Sequence, residues 1–525
     1  MRKRTLEKKA DVRNGVKRLF YCALAILLQI ILIILMFTRL DQNAEWVHGI
    51  TLGLALVAVL GIYSQNKTAA MKTPWIILIM LFPLMGLVMY LLIGLSGSTW
   101  KMRKRYEAID AKLLPLLSEG PEKSRREACW QTLAEENPQI AGISRYLIDK
   151  SGYPVYQNTD VEYYDDGLKG LNAQKEALQQ AKHFIFMEYH AIEDAESWHE
   201  IQEILEERVK AGVEVRVFYD DLGSIGFITT DFIRRLEAVG IACRVFNPVA
   251  PGLNFFLNNR DHRKITVIDG RVGFTGGYNL ANEYFNRTSP YGHWKDTGIR
   301  LTGEAVRNLT VTFLENWNAV RDDDKDDTNL RKYLPPVSYT AEENGFVQPY
   351  GDLPLDNEHV GEEVYISMAE KATRYCWFIT PYLILTDEII HALGLAAKRG
   401  VDVRVITPGI PDKKIVYQVT RSYYNALTRN GVKVYEYTPG FCHCKMCVID
   451  DVAAVCGTIN LDYRSLYHHF ENGCLYVNCR AVRETRQDFE QTMKLCRDVT
   501  EEYTTGRSHA LRIGQMILRL IAPLL

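Results

Sequence analysis

Two stretches of this chain repeat one set of residues that could carry out phosphoryl chemistry. Residues 262–280 read HRKITVIDGRVGFTGGYNL, and residues 443–461 read HCKMCVIDDVAAVCGTINL. Each stretch places a lysine, an aspartate and an asparagine at the same distances after a histidine. These residues are His262, Lys264, Asp269 and Asn279 in the first copy and His443, Lys445, Asp450 and Asn460 in the second. One copy would occur by chance in many proteins, but two copies with matched spacing indicate a functional site.

Two histidines and two lysines supply what is needed to displace an alcohol from a phosphodiester. Because the pKa of imidazole lies near neutrality, one histidine can attack phosphorus while the other, protonated, donates to the departing oxygen. The attack would form a phosphohistidine. The lysines would neutralise the phosphoryl oxygens and the asparagines would donate hydrogen bonds to them, so we predict a reaction without a metal or other cofactor. We expect Asp269 and Asp450 to complete each catalytic motif by closing the turn after its strand.

Two acidic residues downstream of the motifs are candidates for orienting the histidines. Asp296 lies in HWKDTGIRLTG (residues 293–303) and Glu471 lies in HFENGCLYVN (residues 469–478), so the two acids hold equivalent places in the repeat. A carboxylate that binds the far ring nitrogen of a histidine fixes its tautomer. We predict this role for both acids, although spacing alone leaves open that they are ordinary surface residues.

The segment FCHCKMC (residues 441–447) raises an alternative, because Cys442, Cys444 and Cys447 surround His443 and all four are zinc-ligand types. Zinc sites usually combine two ligand clusters of characteristic spacing. No second CxxC or HxxxH cluster lies nearby in the sequence, and His443 already has a role in the repeat. The repeat therefore favours a catalytic histidine over a zinc ligand.

The residues around both motifs predict an α/β fold built from two homologous halves. Short segments rich in β-branched and aromatic residues predict strands in equivalent order in each half. They span residues 181–192, 213–221 and 240–248 before the first motif, and 372–384, 401–409 and 431–440 before the second. Helical patterns at 196–212 and 387–400 end on glycine, which favours a helix C-terminus. This alternation predicts a mainly parallel sheet in each half, with the halves related by a pseudo-twofold axis.

Apolar runs near the N-terminus predict transmembrane helices ahead of the two halves. The runs cover residues 19–38, 46–64 and 75–95, and the first is long enough to span a bilayer. Its length and the lack of a small-residue cleavage site argue against a cleaved signal peptide. The basic residues at the N-terminus favour a cytoplasmic location for that end. We therefore expect a multi-pass protein of the cell membrane whose catalytic region faces the cytoplasm.

These patterns divide the chain into four parts. A membrane region covers residues 1–105, the first half covers 106–335, the second covers 336–504, and residues 505–525 form a C-terminal amphipathic helix. That last helix suits either a membrane surface or a position docked on the core. The formal net charge of the 525 residues is −2, which argues against a general nucleic-acid binder.

The doubled H-x-K-x4-D signature resembles that of the phospholipase D superfamily. Within it the chain is most similar to the bacterial cardiolipin synthase family, through PWIILIMLFPLMGLVMYLLIG (74–94), DHRKITVIDGRVGFTGGYNLANEY (261–284), HWKDTGIRLTG, GTINLDYRS (457–465), HFEN (469–472) and the terminal APLL. The resemblance implies transfer of a phosphatidyl group between two phosphatidylglycerol molecules, with release of glycerol. It also implies that His262 is the nucleophile and His443 the general acid. The expected partners are then phosphatidylglycerol and membrane lipids.

Two features depart from the family pattern, and two other activities stay open. Cys444 stands where the family usually has a serine or an alanine, and the apolar run 19–38 adds a span. A hydrolytic phospholipase D or nuclease would use water as the acceptor, and another phosphatidyltransferase would use a different alcohol. The apolar runs favour a lipid substrate over a nucleic acid. Retention of both histidine–lysine pairs argues against a catalytically inactive lipid-binding protein.

Overall fold

The computed structural model describes residues 45–65, 68–91, 97–119, 121–249, 258–320 and 329–505, with a few isolated residues near each terminus. Within these ranges the chain forms two α/β halves that follow a group of N-terminal helices. The predicted apolar run 19–38 and the predicted terminal helix 505–525 lie largely outside the described residues.

The described part of the N-terminal region contains three helices that pack around a small apolar core. They span Glu45–Tyr63, Ala69–Leu81 and Pro83–Met89. Gly86 packs so closely on Ile79 that a Cβ there would lie 2.6 Å from the Cα of Ile79. The predicted run 75–95 is not a single helix, because Pro83 has no N–H to donate and disfavours helical geometry in Phe82. Among the residues described, no helix is both long enough and apolar enough to cross a bilayer.

A second group of helices leads from this region into the first sheet. They span Gly97–Leu113, Pro115–Ser118, Pro121–Glu136 and Pro138–Ser151. Proline suits the first helical position because the N–H it lacks would have no partner there. The last helix ends at Gly152, whose positive φ of 74° allows the chain to turn towards the first strand.

The first half is built around one mixed sheet. Its described strands are β1 (Thr159–Tyr164), β2 (Phe184–Tyr189), β3 (Glu214–Asp220), β4 (Ala242–Phe246), β5 (Arg260–Asp261), β6 (Lys264–Ile268), β7 (Val272–Gly276), β8 (His293–Lys295) and β9 (Gly298–Gly303). The sheet has the order β1-β9-β7-β6-β2-β3-β4. Its helices span Gly167–Gln179, Glu196–Lys210, Asp221–Ser224, Phe232–Ala238 and Val306–Ala319, with 3₁₀ turns at Asn282–Phe285 and Leu330–Tyr333.

The second half repeats this plan. Its described strands are β10 (Phe346–Asp352), β11 (Tyr375–Ile379), β12 (Asp402–Pro408), β13 (Lys433–Tyr437), β14 (Gly440–Cys442), β15 (Met446–Ile449), β16 (Ala453–Gly457), β17 (His469–Val477) and β18 (Cys496–Asp498). The sheet has the order β10-β17-β16-β15-β11-β12-β13-β18. Its helices span Val360–Lys371, Asp387–Lys398, Lys414–Thr428, Tyr463–Tyr467, Arg480–Lys494 and Thr500–Thr505.

Neither sheet is mainly parallel, so that expectation was wrong. Parallel pairing within the two sheets joins β2 to β3 and β3 to β4, and likewise β11 to β12 and β12 to β13. Helices connect these strands, as parallel crossovers require. The motif strands β6 and β7, and β15 and β16, pair antiparallel because short turns at Asp269 and Asp450 join them. A tight turn can return the chain only antiparallel.

The helix Val306–Ala319 joins the two halves into one core. Almost all of its side chains are buried, and it packs against β6 of the first half and β10 of the second. Phe313 stacks on Phe186 with ring centroids 4.6 Å apart. The Nδ2 of Asn308 donates to the carbonyl of Pro349 in the second half at 2.7 Å. One apolar cluster therefore contains residues of both halves, which fixes the motif strands relative to each other.

Candidate active site

Two short strand pairs between the halves place the motif histidines. β5, just before His262, pairs in parallel with the start of β17, and β14, just before His443, pairs in parallel with β8. The backbone N–H of His262 donates to the carbonyl of Phe470 at 2.9 Å, and that of His443 donates to the carbonyl of Lys295 at 2.8 Å. Phe470 and Lys295 each directly precede a candidate acid. Each histidine is therefore fixed beside the acid of the opposite half.

The histidine–acid pairs cross between the halves. The Nδ1 of His262 lies 2.9 and 3.0 Å from the two carboxylate oxygens of Glu471. The Nδ1 of His443 lies 2.8 Å from Oδ2 of Asp296. All four residues are buried. An Nδ1–H that donates to a carboxylate leaves Nε2 with its lone pair, so each histidine presents Nε2 for chemistry. The structure thus brings together the residues that spacing suggested.

The acids are themselves held in place. Oγ1 of Thr458 donates to Oε2 of Glu471 at 2.5 Å. The backbone N–H of Thr297 donates to Oδ1 of Asp296 at 2.9 Å, and the indole Nε1 of Trp294 donates to its Oδ2 at 3.3 Å. A Cβ on Gly277 would lie 2.1 Å from Oδ1 of Asp296, so this position has no room for a side chain. Such partners fix the carboxylates that orient the imidazoles.

Both motif lysines are buried and bind the backbone of their own motif. Nζ of Lys264 donates to the carbonyl of His262 at 2.6 Å, and Nζ of Lys445 donates to the carbonyl of His443. Burial lowers the pKa of Lys264 to about 7 and that of Lys445 to about 8. A bound phosphodiester anion would favour the charged form of both lysines.

Burial also sets the charge of the histidines and their acids. It lowers the pKa of His262 to about 3 and that of His443 to about 4, so both imidazoles are neutral at pH 7 without substrate. Burial acts to raise the pKa of Glu471 and Asp296, but the histidine that each acid binds holds that pKa below its usual range. The site therefore combines two carboxylates with two neutral imidazoles, as a nucleophile requires.

A cavity of about 540 Å³ lies between the halves. Its lining includes His262, His443, Asn279 and Asn460. The Nδ2 of Asn279 donates to the hydroxyl of Tyr284 at 2.8 Å, and its Oδ1 accepts from the backbone of Ala191 at 3.1 Å. Oδ1 of Asn460 is buried without a hydrogen-bond partner among the described residues. Asn279 thus has protein partners, whereas Asn460 retains an acceptor beside the cavity.

The motif aspartates lie at turns and do not line this cavity. Asp269 and Asp450 have positive φ angles of 53° and 55°. The carboxylate of Asp269 accepts from the backbone N–H groups of residues 182, 183 and 184 at 2.7–2.8 Å. That of Asp450 accepts from residues 373, 374 and 375 at 2.7–2.9 Å. Both therefore close the turn after a motif strand and tie it to the neighbouring strand.

Sequence reasoning missed several residues at the cavity. His190 lies with its ring centroid 5.0 Å from that of His262, and its Nδ1 is 2.7 Å from the carbonyl of Asp261. His469 lies 5.4 Å from His262 by the same measure. Arg464 also lines the cavity. The sequence places His469 two residues before Glu471, so its position near the site could have been predicted. His190 comes close to His262 only because β2 pairs with β6, which the sequence does not show.

Among the described residues, one group has the composition and spacing to hold a metal ion. His262, His469 and Glu471 each offer a ligand atom, and these atoms lie within 4.8 Å of one another. The cysteines considered as zinc ligands do not converge with His443. Sγ of Cys444 points to the carbonyl of Lys295 at 3.5 Å, and Sγ of Cys447 lies 4.0 Å from that of Cys376.

Comparison with known proteins places this geometry in a family. The family model described as "Cardiolipin synthase, PLD-like domain" matches residues 175–296 and 365–493. The model described as "Phospholipase_D-nuclease N-terminal" matches residues 53–94. The two parts of the first match each contain one motif histidine and the acid that orients the other.

Two relatives and one solved structure are also similar to this chain. A cardiolipin synthase of Halalkalibacterium halodurans is 32% identical over 492 residues, covering 91% of this chain and 95% of the relative. An uncharacterized protein of Streptococcus mutans is 40% identical over 462 residues, covering 88% and 98%. The crystal structure of phosphatidylserine synthase from Haemophilus influenzae shares the fold, with a TM-score of 0.56, 15% identity and coverage of 73% and 99%. The chain belongs to the cardiolipin synthase family of phospholipase D-like proteins.

Proposed function

We propose that the chain is a cardiolipin synthase that transfers a phosphatidyl group from one phosphatidylglycerol to another. The observation that carries the proposal is the crossed pairing of His262 with Glu471 and of His443 with Asp296 around one cavity. Two imidazoles that both present Nε2 to one cavity can act on opposite sides of one phosphorus atom. This arrangement suits two successive displacements through a covalent intermediate.

In the first step, Nε2 of His262 attacks the phosphorus of the donor lipid. The bond between phosphorus and the glycerol oxygen breaks, and protonated His443 gives its proton to that oxygen. The product is a phosphatidyl-His262 intermediate and free glycerol. Glu471 stabilises the positive charge that the phosphorylated ring acquires, because its carboxylate accepts the Nδ1–H of that ring.

In the second step, His443 acts as a base. It takes the proton of a glycerol hydroxyl on the second phosphatidylglycerol, and the oxygen of that hydroxyl attacks phosphorus. The bond between phosphorus and His262 breaks, which yields cardiolipin and returns both histidines to their starting forms. Asp296 holds His443 in the orientation that both transfers require.

The two lysines supply the positive charge that a phosphoryl group requires. Lys264 and Lys445 both interact electrostatically with the two candidate acids, which supports a position close to both histidine–acid pairs. Binding of an anionic phosphodiester favours their protonated forms and also that of His443. Substrate binding would thereby prepare the general acid. Asn460 adds an amide at the cavity wall.

We further propose that the enzyme is membrane-embedded and multi-pass, with the catalytic region on the cytoplasmic side. In support, Leu52, Leu54, Leu56 and Leu60 on the helix Glu45–Tyr63 are exposed. Contiguous exposed apolar side chains of this kind are typical of a surface that contacts another apolar phase. The division of the chain at residues 105, 335 and 504 stays a prediction.

A lipid-product assay tests the proposed function. Purified full-length protein would be incubated with phosphatidylglycerol in detergent micelles, and lipids and glycerol would be measured by mass spectrometry. Cardiolipin and free glycerol in equal amounts are the expected products. Phosphatidic acid as the sole lipid product would instead identify a hydrolase, because water would then be the acceptor. The matched control is His262→Ala, which should form neither product.

A further inference from the structure

In each half, an aromatic side chain two residues before the candidate acid lies against a motif histidine, and its residue type differs between the halves. Trp294 and His469 both lie two residues before an orienting acid, with ring centroids 5.2 and 5.4 Å from the adjacent motif histidine. The indole of Trp294 donates to Asp296 at 3.3 Å. Nδ1 of His469 lies 3.6 Å from Oε1 of Glu471, which is longer than an ordinary hydrogen bond. Equivalent places thus hold an indole in one half and an imidazole in the other.

The nitrogens of His469 have no hydrogen-bond partner in the described part of the chain. Both atoms are nevertheless buried, and the side chain lies at the wall of the cavity. Buried polar atoms in folded proteins almost always have a close partner, so an imidazole 3.6 Å from a carboxylate calls for a physical explanation.

We propose that His262, His469 and Glu471 form a binding site for a divalent transition metal such as Zn²⁺. One ligand atom from each residue lies within 4.8 Å of the others. Two imidazoles and one carboxylate with water as the fourth ligand are a common zinc set. Thr458 binds Oε2 of Glu471 and leaves Oε1 towards His469. In the other half, Trp294 offers no lone pair, so the site belongs to one half only.

Metal binding would block the nucleophile through its tautomer. Glu471 contacts His262 at Nδ1, so a metal shared by these two residues bonds that nitrogen. A neutral imidazole carries one proton, which must then reside on Nε2. Nε2 thereby loses the lone pair with which it attacks phosphorus, and the metal acts as a reversible inhibitor. This consequence rests on the proposed function of His262, whereas metal binding itself does not.

Equilibrium dialysis against Zn²⁺ alone tests the site. Full-length protein stripped with EDTA would be compared with His469→Asn, which keeps a polar side chain but removes the second imidazole. His199→Asn is the matched control, because His199 is partly exposed and lies beside Asp194, far from the motifs in sequence. We expect one tightly bound zinc per chain in the wild type and the control. Loss of the ligand should weaken binding by at least about tenfold.

Equal zinc affinity in wild type and His469→Asn would overturn the site. Near-ultraviolet circular dichroism would verify that the variant is folded, and His469→Gln would replace it if it is not. A second experiment measures the rate of lipid transfer at increasing concentrations of buffered free Zn²⁺, and each rate is divided by the metal-free rate of the same variant. We expect zinc to inhibit the wild type and EDTA to restore its activity. Half-maximal inhibition of His469→Asn should require a zinc concentration at least about tenfold higher. Zinc that binds as expected without inhibiting would overturn the nucleophile role of His262 and leave the site intact.

Discussion

At the scale of single residues, the two imidazoles share one arrangement but differ in what surrounds them. Each binds a buried carboxylate through Nδ1. His262 has two further imidazoles beside it, from His190 and His469, whereas His443 lies against the rings of Trp294 and Tyr284. The two motifs therefore match in sequence, but the side chains that surround their histidines differ in chemical type. The two histidines can have different roles on closely similar backbones.

Loss of either histidine should abolish lipid transfer. His262→Ala removes the attacking nitrogen and His443→Ala removes the proton donor, so each should lower turnover by about a thousandfold or more. Cys444→Ser should retain most activity, because Sγ of Cys444 points to the backbone of Lys295 and away from the cavity. Cardiolipin production per mole of folded enzyme measures all three. Substantial activity in either alanine variant would contradict the two-imidazole mechanism.

The pH dependence should show an alkaline limb and no acid limb between pH 5 and pH 9. Burial lowers the pKa of Lys264 to about 7 and of Lys445 to about 8, so raising the pH removes the charge that binds phosphate. We expect kcat/KM to fall by more than about a hundredfold from pH 7 to pH 9, because both lysines lose most of their charge over this range. Burial lowers the pKa of His262 to about 3, so the nucleophile stays neutral down to pH 5. Rates in neutral-detergent micelles across this range provide the measurement.

A marked loss of kcat/KM between pH 7 and pH 5 would contradict this assignment. It would show that a group essential in its deprotonated form titrates there. Circular dichroism over the same range separates titration of the site from unfolding of the protein.

At the scale of elements, the turns after the motif strands have a structural role. Asp269→Ala removes a carboxylate that accepts three backbone N–H groups at the start of β2. We expect a loss of about 2–4 kcal/mol in the free energy of unfolding and a lower Tm, with near-normal activity per folded molecule. Thermal unfolding followed by circular dichroism measures the effect. Asp269→Asn should lose less, because asparagine tolerates the positive φ of this turn.

Complete loss of activity with an unchanged Tm would instead make Asp269 a catalytic residue. The equivalent change at Asp450 provides an internal replicate, because its carboxylate accepts from three N–H groups in the same way.

The strands before each motif and the helices between those strands could be predicted because each has a local pattern, and the two candidate acids because they hold equivalent places in the repeat. The sequence did not predict which acid serves which histidine, since this depends on β5, β8 and β14, which have only two or three residues each. Strands this short carry no periodicity to read. The sheets were expected to be mainly parallel because strands and helices alternate before each motif. That pattern does not indicate that the chain turns back at Asp269 and Asp450 to form hairpins. His469 lies two residues before Glu471, but a single histidine outside a motif does not by itself predict a functional site.

At the scale of the whole molecule, the crossed pairs predict that each acid acts on the other half. Glu471→Gln should slow formation of a phosphatidyl-His262 adduct by about 10⁴-fold, even with a nitrophenol ester that requires no general acid. Asp296→Asn should leave formation of that adduct nearly unchanged and block its release, because it impairs only His443. Mass spectrometry of a digest locates and quantifies the adduct in both variants. Slow adduct formation in Asp296→Asn alone would show that each acid serves its own half.

The strand pairs β5–β17 and β14–β8, which join the halves, also bear on when the site is completed during synthesis of the chain. The ribosome completes the first half, with His262, Lys264 and the cavity wall from β2, before Glu471 has been made. Until β17 pairs with β5, Glu471 is not in place to contact Nδ1 of His262. On the proposed mechanism, a nascent or prematurely terminated chain should therefore cleave lipids far more slowly than the full chain. The order of synthesis would then keep fragments of the enzyme from degrading lipids before the second half has folded.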